Sequence, residues 1–214
     1  MNPPQLNNAL EKKIILSIET TVAGGSLSIL ANNYEPDGWI GSRSVSKAED
    51  ILEQIAILLR TNNIKREHIK LIGVSKGSGS LTGEKIGLAL ARGLAKSLKC
   101  RLVEISVFES LLMEIGCKLE GEYLTAIPLG KNQVQWQEFT AKNNFYFKKN
   151  SSPQVSHISE LINKIKKFDD TRAVLASGFD KFYVLDEFSD LEPLVNISSN
   201  SLAKLNAAAI LKCV

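Results

Sequence analysis

Within the first 105 residues the spacing of apolar side chains changes from every second position to every third or fourth and back again, which restricts the chain to a mixed α/β fold. Lys13 to Ile18 (KIILSI) is a short run rich in β-branched residues and reads as a buried strand. After the polar turn ETTVAGG, Ser26 to Leu30 alternates, with Leu27 and Ile29 on one face, as a second strand. Trp39 to Val45 is a third, entered through the turn Glu35-Pro36-Asp37-Gly38. Then Ile51, Leu52, Ile55, Leu58 and Leu59 trace one helical stripe. Ser46 is its expected N-cap, Glu49 completes a capping box, and Asn62 and Asn63 end the helix. Ile69 to Ser75 is a buried strand, Gly77 to Gly83 a glycine-rich loop, Glu84 to Leu98 a second helix, and Arg101 to Ile105 a further strand.

The second half repeats this order more weakly. Residues 106–118 form a linking helix with Leu111, Leu112 and Ile115 on one side. Tyr123–Ile127, Val134–Phe139 and Asn144–Phe147 are strand candidates, and Val155–Phe168 is an amphipathic helix using Ile158, Leu161, Ile162 and Ile165. Arg172–Ala176 is a strand and Ser201–Leu211 a closing helix. A β-β-β-α-β-α unit present twice is the element order of a two-lobed α/β fold of the actin and sugar-kinase-like (ASKHA) type. The expected lobes are residues 13–105 and an abbreviated C-terminal lobe over 106–214.

Composition excludes several classes. Hydrophobic residues make up 44% and charged residues 23%, so disorder does not dominate. The three cysteines, Cys100, Cys117 and Cys213, are too scattered for a disulfide framework or a metal site, which suggests a reducing cytoplasm. No apolar run approaches the roughly 18–20 residues that span a bilayer, and the polar start MNPPQLNNALEKK lacks the apolar stretch of a secretory signal. The net charge is only +3, and the one basic cluster, Lys164, Lys166 and Lys167, is answered by Asp169 and Asp170. It reads as a solvated helix end and not as a phosphate-binding patch.

The loop Lys76-Gly77-Ser78-Gly79-Ser80-Leu81-Thr82-Gly83-Glu84-Lys85-Ile86-Gly87 lies between a strand and a helix, where backbone N–H groups can receive an anion. Gly77, Gly79, Thr82 and Gly83 are the candidates for such a contact. The loop is not a Walker A motif, because Gly83-Glu84-Lys85 does not supply Gly-Lys-Ser/Thr. Nor is it a dinucleotide fingerprint, because the third glycine comes one position late. Two readings stand: a tight turn that binds nothing, and a residual phosphate loop. In the helix that follows, Gly87, Ala91 and Ala95 recur every four residues and make a flat stripe, suited either to packing on the sheet or to a second protein's helix.

Catalytic groups are sparse. His68 follows a charged run, His157 lies at a helix start, and no HxxxH pair, cysteine cluster or GxSxG elbow occurs. Glu19 follows the first strand, where phosphotransferases of this architecture keep an acidic residue. The corresponding second-lobe stretch, Ile127-Pro128-Leu129-Gly130, carries no carboxylate. A phosphoryl-transfer site would need acidic groups around magnesium from both halves.

With these residues in view, the chain resembles the TsaB (YeaZ) family. Ile14 to Leu30 matches that family's opening strand, acidic turn and second strand. Ile72 to Ala95 (IGVSKGSGSLTGEKIGLALARGLA) matches its Gly-Pro-Gly-Ser-Phe-Thr-Gly-x-Arg-Ile-Gly loop and the small-residue helix after it. Departures mark a divergent member: Ser78 for proline, Leu81 for phenylalanine, Lys85 for arginine, Pro128-Leu129-Gly130-Lys131 for Asp-Ala-Arg-Arg, and no Pro-x-Tyr-Leu-Arg ending. The resemblance implies an actin-like ATPase fold and a non-catalytic cytoplasmic scaffold. Such a scaffold binds and stabilises a TsaD-type enzyme that threonylcarbamoylates the adenosine next to the anticodon of tRNA. A TsaE-type ATPase joins the pair, and a homodimer forms when the scaffold is alone. No cofactor is implied beyond weak nucleotide binding. The implied partner surface is the helix pair at 46–62 and 84–98, with Gln54, Gly87, Ala91 and Ala95 as its residues. The family's older label, glycoprotease, has no support in these residues. The rival reading is a small-molecule kinase or ATPase of the same fold using the Gly77–Gly83 loop. The missing second-lobe carboxylate predicts no metal-dependent ATP hydrolysis above background. Turnover on the order of 1 per second, abolished by Glu19→Ala, would establish the kinase reading instead.

Overall fold

Strand β1 (Ile14–Glu19) is the axis of the first sheet because both of its faces are covered. It pairs antiparallel with β2 (Ser26–Leu30) and parallel with β4 (Ile69–Ser75). The sheet is completed by β3 (Asp37–Ile40) and β5 (Arg101–Ile105), in the order β3-β2-β1-β4-β5. Leu16, Ile18, Leu27 and Ile29 point to one face, where they meet Ile51, Ile55 and Leu58 of α1 (Ala48–Thr61) and Ala91 and Ala95 of α2 (Leu81–Leu98). The alternate residues, Ile15, Leu30 and Leu71, meet Ala207 and Ala209 of α5 (Leu202–Cys213) on the other face. A strand covered twice needs apolar or small residues along its length, which is why Ile14 to Ile18 (IILSI) reads as a continuous run. The computed structural model describes residues 14–22, 24–31, 37–41, 48–115, 120–142, 147–167, 172–176, 179, 195–198 and 201–213.

The second sheet repeats the topology. Its centre is β6 (Gly121–Gly130), antiparallel to β7 (Gln133–Ala141) and parallel to β10 (Arg172–Leu175), which in turn pairs with β11 (Val195–Ile197). The outer edge of β7 is shared by β8 (Phe147–Lys149) and β9 (Gln154–His157). The order β11-β10-β6-β7-β8 therefore mirrors β5-β4-β1-β2-β3. Helix α4 (Ile158–Lys167) covers one face through Ile158, Leu161, Ile162 and Ile165 against Leu124 and Trp136. The other face packs Tyr123, Ile127 and Phe139 on Phe108 and Leu111 of α3 (Val107–Ile115) and on Leu205 of α5. The layers run α1/α2, first sheet, α3/α5, second sheet, α4, so the duplicated actin-like architecture expected from the element order is the one observed.

Polar groups join these layers in the interior. The Ser110 hydroxyl donates to Asn206 Oδ1, and Asn206 Nδ2 donates to Ser75 Oγ at 2.7 Å. All three side chains are buried, and they link α3, α5 and β4. The backbone N–H of Ala203 donates to Ser26 Oγ at 3.2 Å, which ties the start of α5 to β2.

Several boundaries differ from the sequence reading. Strand β3 begins at Asp37, inside the expected turn, and Gly41 already lies beyond it; residues 42–45, Ser46 and the Glu49 side chain lie outside the described residues. Helix α2 starts at Leu81, not Glu84, because Ser80 caps it and its Oγ accepts the Gly83 N–H at 3.2 Å. The β6 strand runs on through Pro128 and Leu129 to a two-residue turn with Lys131 at φ +52 and Asn132 at φ +59, the pairing of positive φ values that suits a hairpin. Val155 does not open a helix. It pairs with Gln135 in β9, and α4 begins at Ile158, whose N–H donates to Asn132 O at 2.8 Å. The sheet edge outcompetes helical continuation there. The third strand of this half is Phe147–Lys149, displaced from the expected Asn144–Phe147, of which 144–146 lie outside the described residues; so do residues 116–118 of the linking helix.

Asn206 bonds to two buried hydroxyls; without it Ser110 keeps the Ser106 carbonyl at 3.2 Å while Ser75 loses its donor, and leaving a buried polar group unpaired costs about 1–3 kcal/mol. Asn206→Ala is therefore expected to destabilise the chain by about 1–3 kcal/mol, read from the midpoint of a urea denaturation curve. An unchanged midpoint would show that α5 is held without this network.

Candidate functional site

The β1–β2 turn is organised by one carboxylate. Glu19 is 2% exposed. Its Oε1 accepts the Thr21 N–H, the Thr21 hydroxyl at 2.6 Å and the Val22 N–H at 3.0 Å. Burial pushes its carboxyl above the ordinary carboxylate value, opposed by the hydrogen bonds from Thr21 and Val22. The carboxylate thus serves its own turn.

The glycine-rich segment lies directly on that turn. The Thr20 hydroxyl donates to Gly83 O at 2.7 Å, and the Ser80 N–H donates to Thr21 O at 2.7 Å. A Cβ on Gly83 would stand 1.9 Å from Thr20 O, and one on Gly87 2.3 Å from Thr20 Oγ1. Gly79 has φ +117, and a Cβ there would meet Thr21 O at 2.4 Å. Gly79 and Gly83 are required because two stretches of backbone touch, and Gly87 because the Thr20 hydroxyl lies against it. The Gly79 N–H donates to Gln135 Oε1 at 2.7 Å, the Gly83 N–H to Ser80 Oγ, and the Glu84 N–H to Ser80 O at 2.9 Å. A phosphate drawn to this loop would have to compete with partners already bound to the N–H groups of Gly79, Ser80, Gly83 and Glu84.

The predicted site residues separate into three places. Gly79 and Gly83 meet at the turn. Gly77 stands apart, its carbonyl accepting the Val107 N–H at 3.3 Å. Thr82 belongs to the first turn of α2 and lines the outer surface. The stripe assigned to a partner needs correction: Gly87 is buried, and Ala91 and Ala95, at 0% and 7% exposed, belong to the core cluster on the first sheet. No second protein can reach them in this fold. Small volume there lets α2 approach β4 and Thr20 closely.

The face that α1 and α2 turn outward is different. Between them runs an apolar groove of about 620 Å³, lined among others by Ala48, Leu52, Lys85, Ile86, Ala89 and Leu90. Leu52, one of the five residues of the expected core stripe, is 43% exposed here, and Leu81 at the start of α2 is 64% exposed. Gln54 is half-buried on α1 and is not among the residues lining the groove. Leu52, Thr82 and Lys85 of the groove were marked in the sequence for other reasons, whereas Ala89, Leu90 and Gln135 did not stand out. The only trace of Gln135 is the alternation Gln133, Gln135, Gln137 in QVQWQEFTA. Among the described residues no group of three or more His, Cys, Asp or Glu side chains is placed to hold a metal ion, and no helix is long and apolar enough to cross a membrane.

Two sheets of matching topology with helices between them, and an acidic turn pressed on a glycine-rich loop, define an actin-like two-lobed protein. The solved structures agree. The chain is similar to YeaZ from Pseudomonas aeruginosa, with a TM-score of 0.63, 14% identity, and coverage of 94% of this chain and 91% of that one. It is also similar to a Bacteroides thetaiotaomicron protein of actin-like ATPase fold, with a TM-score of 0.55, 11% identity, and coverage of 99% and 100%. Residues 43–185 match the family described as TsaD: tRNA N6-adenosine threonylcarbamoyltransferase, and the chain belongs to that family, as a divergent member of its TsaB type. Among curated relatives, the tRNA threonylcarbamoyladenosine biosynthesis protein TsaB of Buchnera aphidicola subsp. Baizongia pistaciae is 25% identical over 172 residues, covering 79% of this chain and 77% of that protein.

Glu19 makes stability depend on pH. Its folded-state value lies above the ordinary 4.5, so the stability it contributes is full below about pH 4.5 and is lost as pH rises through the folded value. Glu19→Gln keeps a carbonyl acceptor for the turn and removes this titration. The stability of the native chain relative to Glu19→Gln is expected to improve as pH falls from about 8 toward about 4.5, measured by chemical denaturation at each pH. A constant difference would show that the carboxyl titrates alike in both states.

Proposed function

We propose that this chain is a non-catalytic subunit in tRNA threonylcarbamoyladenosine biosynthesis, and that it binds and stabilises a TsaD-type enzyme through the outer face of α1 and α2. The observation that carries the reading is the apolar groove between those helices, with Leu52 and Ala89 presented to solvent on one lobe. An exposed apolar patch rimmed by polar residues is the physical mark of a protein-binding surface. The family of the chain and its TsaB relatives, named for tRNA threonylcarbamoyladenosine biosynthesis, support this pathway. A TsaE-type ATPase joins the pair, tRNA is met only through the partner, and the setting is the cytoplasm. Alone, the chain covers the same groove with a second copy. The scaffold role is supported by Glu19, whose carboxylate is engaged within its own turn, and by Pro128-Leu129-Gly130, which continue strand β6 where a second acidic group would be needed. No cofactor is required for this role, and any nucleotide contact at Gly77–Gly83 is weak. The division of labour follows the two lobes, 13–105 and 106–214, with the partner surface on the first.

Placing an unpaired charge in a docked apolar groove costs about 3–5 kcal/mol, so Leu52→Arg and Ala89→Arg are each expected to weaken binding to a TsaD homologue at least about a hundredfold. Isothermal calorimetry reads the dissociation constant, and circular dichroism confirms that each variant folds. Unchanged affinity in both would remove this face from the interface. Ala91→Arg faces the sheet and is expected to unfold the isolated chain.

A further inference from the structure

The two sheets are held together over their inner faces by α3 and α5, through Phe108, Leu111, Leu205 and the Ser75–Asn206–Ser110 network. Beyond the C-terminal ends of β1 and β4 the link is of another kind. The bonds of segment 76–80 run mostly within the first lobe: Lys76 N–H to Ile105 O at 2.9 Å, Ser80 N–H to Thr21 O at 2.7 Å, and Ser80 Oγ from Gly83. Of the two that leave the first lobe, the Val107 N–H to Gly77 O bond at 3.3 Å ties the loop to α3, and the Gly79 N–H to Gln135 Oε1 bond at 2.7 Å, over 56 residues of sequence, is the one that reaches the second sheet. Gln135 sits on β7 between Val134 and Trp136, which face α4, so its own side chain takes the opposite, inner face, as Gln133 and Gln137 do. That face is carboxamide-lined near the turn and apolar farther along, at Phe139 and Ala141. Val22 of the β1–β2 turn also reaches across and packs against the inner cluster of the second sheet.

We propose that Gln135 is an interlobe latch, whose carboxamide holds the glycine-rich loop against the β6–β7 hairpin and sets the opening of the two lobes at this end of the molecule. Gln135 is half-buried, so water can compete for both partners of the bond, and the net gain from such a neutral pair is small. The latch therefore opens far more readily than either sheet unfolds. Glu19 holds its turn from within the first lobe, so the turn and loop move as one body when the latch releases.

The test is amide hydrogen exchange on the full chain by nuclear magnetic resonance, with small-angle scattering beside it. In Gln135→Ala, protection of the Gly79 N–H is expected to fall by roughly tenfold while the amides of Leu16 and Ile72 in the first sheet keep theirs, and the radius of gyration is expected to rise. Gln135→Glu, which retains an acceptor oxygen at the same reach, is expected to keep Gly79 protected and the radius unchanged. The latch is overturned by any of four results. These are unchanged Gly79 exchange in Gln135→Ala, equal loss in Gln135→Glu, loss spread over β1 and β4, or loss at Gly79 with no change in the radius.

Discussion

The contact on which the rest of the first lobe depends is the one between Thr20 and the first turn of α2. Thr20 presents its carbonyl to Gly83 at a distance that leaves no room for a Cβ, and its hydroxyl bonds to Gly83 O. That contact, with the Ser80 cap, sets where α2 starts and therefore how the helix is rotated about its axis. The rotation puts Gly87, Ala91 and Ala95 on the sheet and leaves Lys85, Ala89 and Gly93 facing out beside α1. The apolar groove is a consequence of this phase. A helix begun three residues later, as its sequence pattern suggested, would carry no such constraint.

Glu19 is the electrostatic counterpart of that contact. A buried carboxylate is unfavourable unless hydrogen bonds satisfy it, and here they come from the very turn it precedes. In a fold where an acid at this position can serve a phosphate complex, Glu19 is turned to holding Thr21 and Val22. Thr21 in turn offers its carbonyl to Ser80. The acid, the turn and the loop form one continuous hydrogen-bonded unit.

The duplication is visible in strand order more than in residues. Each half carries an antiparallel hairpin followed by two parallel strands, and the helices after the last strand of each half, α3 and α5, share the space between the sheets. This shared layer explains the small residues on it. Ala207 and Ala209 of α5 lie against Ile15, Leu30 and Leu71, where a larger residue would push the sheet away. It also explains why serines and Asn206 line the seam, since they are small and can bond to one another across three elements.

Period and punctuation are local properties, and the sequence alone determined what depends on them. The alternation of β1 and β2, the apolar stripe of α4 and the duplicated order of strands and helices all follow from residues close in the chain. So does the contact-forming role of the glycines between Gly77 and Gly87, as a place where backbone must come near something. Tertiary structure decided what that something is. Small residues carry no signal for direction, because Gly87, Ala91 and Ala95 suit a neighbouring sheet as well as a foreign helix, and only the docking of α2 on Thr20 and β4 turned them inward. Leu52 shows the converse: its place in an apolar stripe suggested burial, yet the stripe is wider than the surface that the sheet offers α1. Val155 followed a neighbouring strand instead of its own helical pattern, because hydrogen bonds to Gln135's strand were available at the edge. Gln135 itself has no local mark beyond alternation, since its partner, the Gly79 amide, lies 56 residues away and is brought to it only by the packing of two lobes.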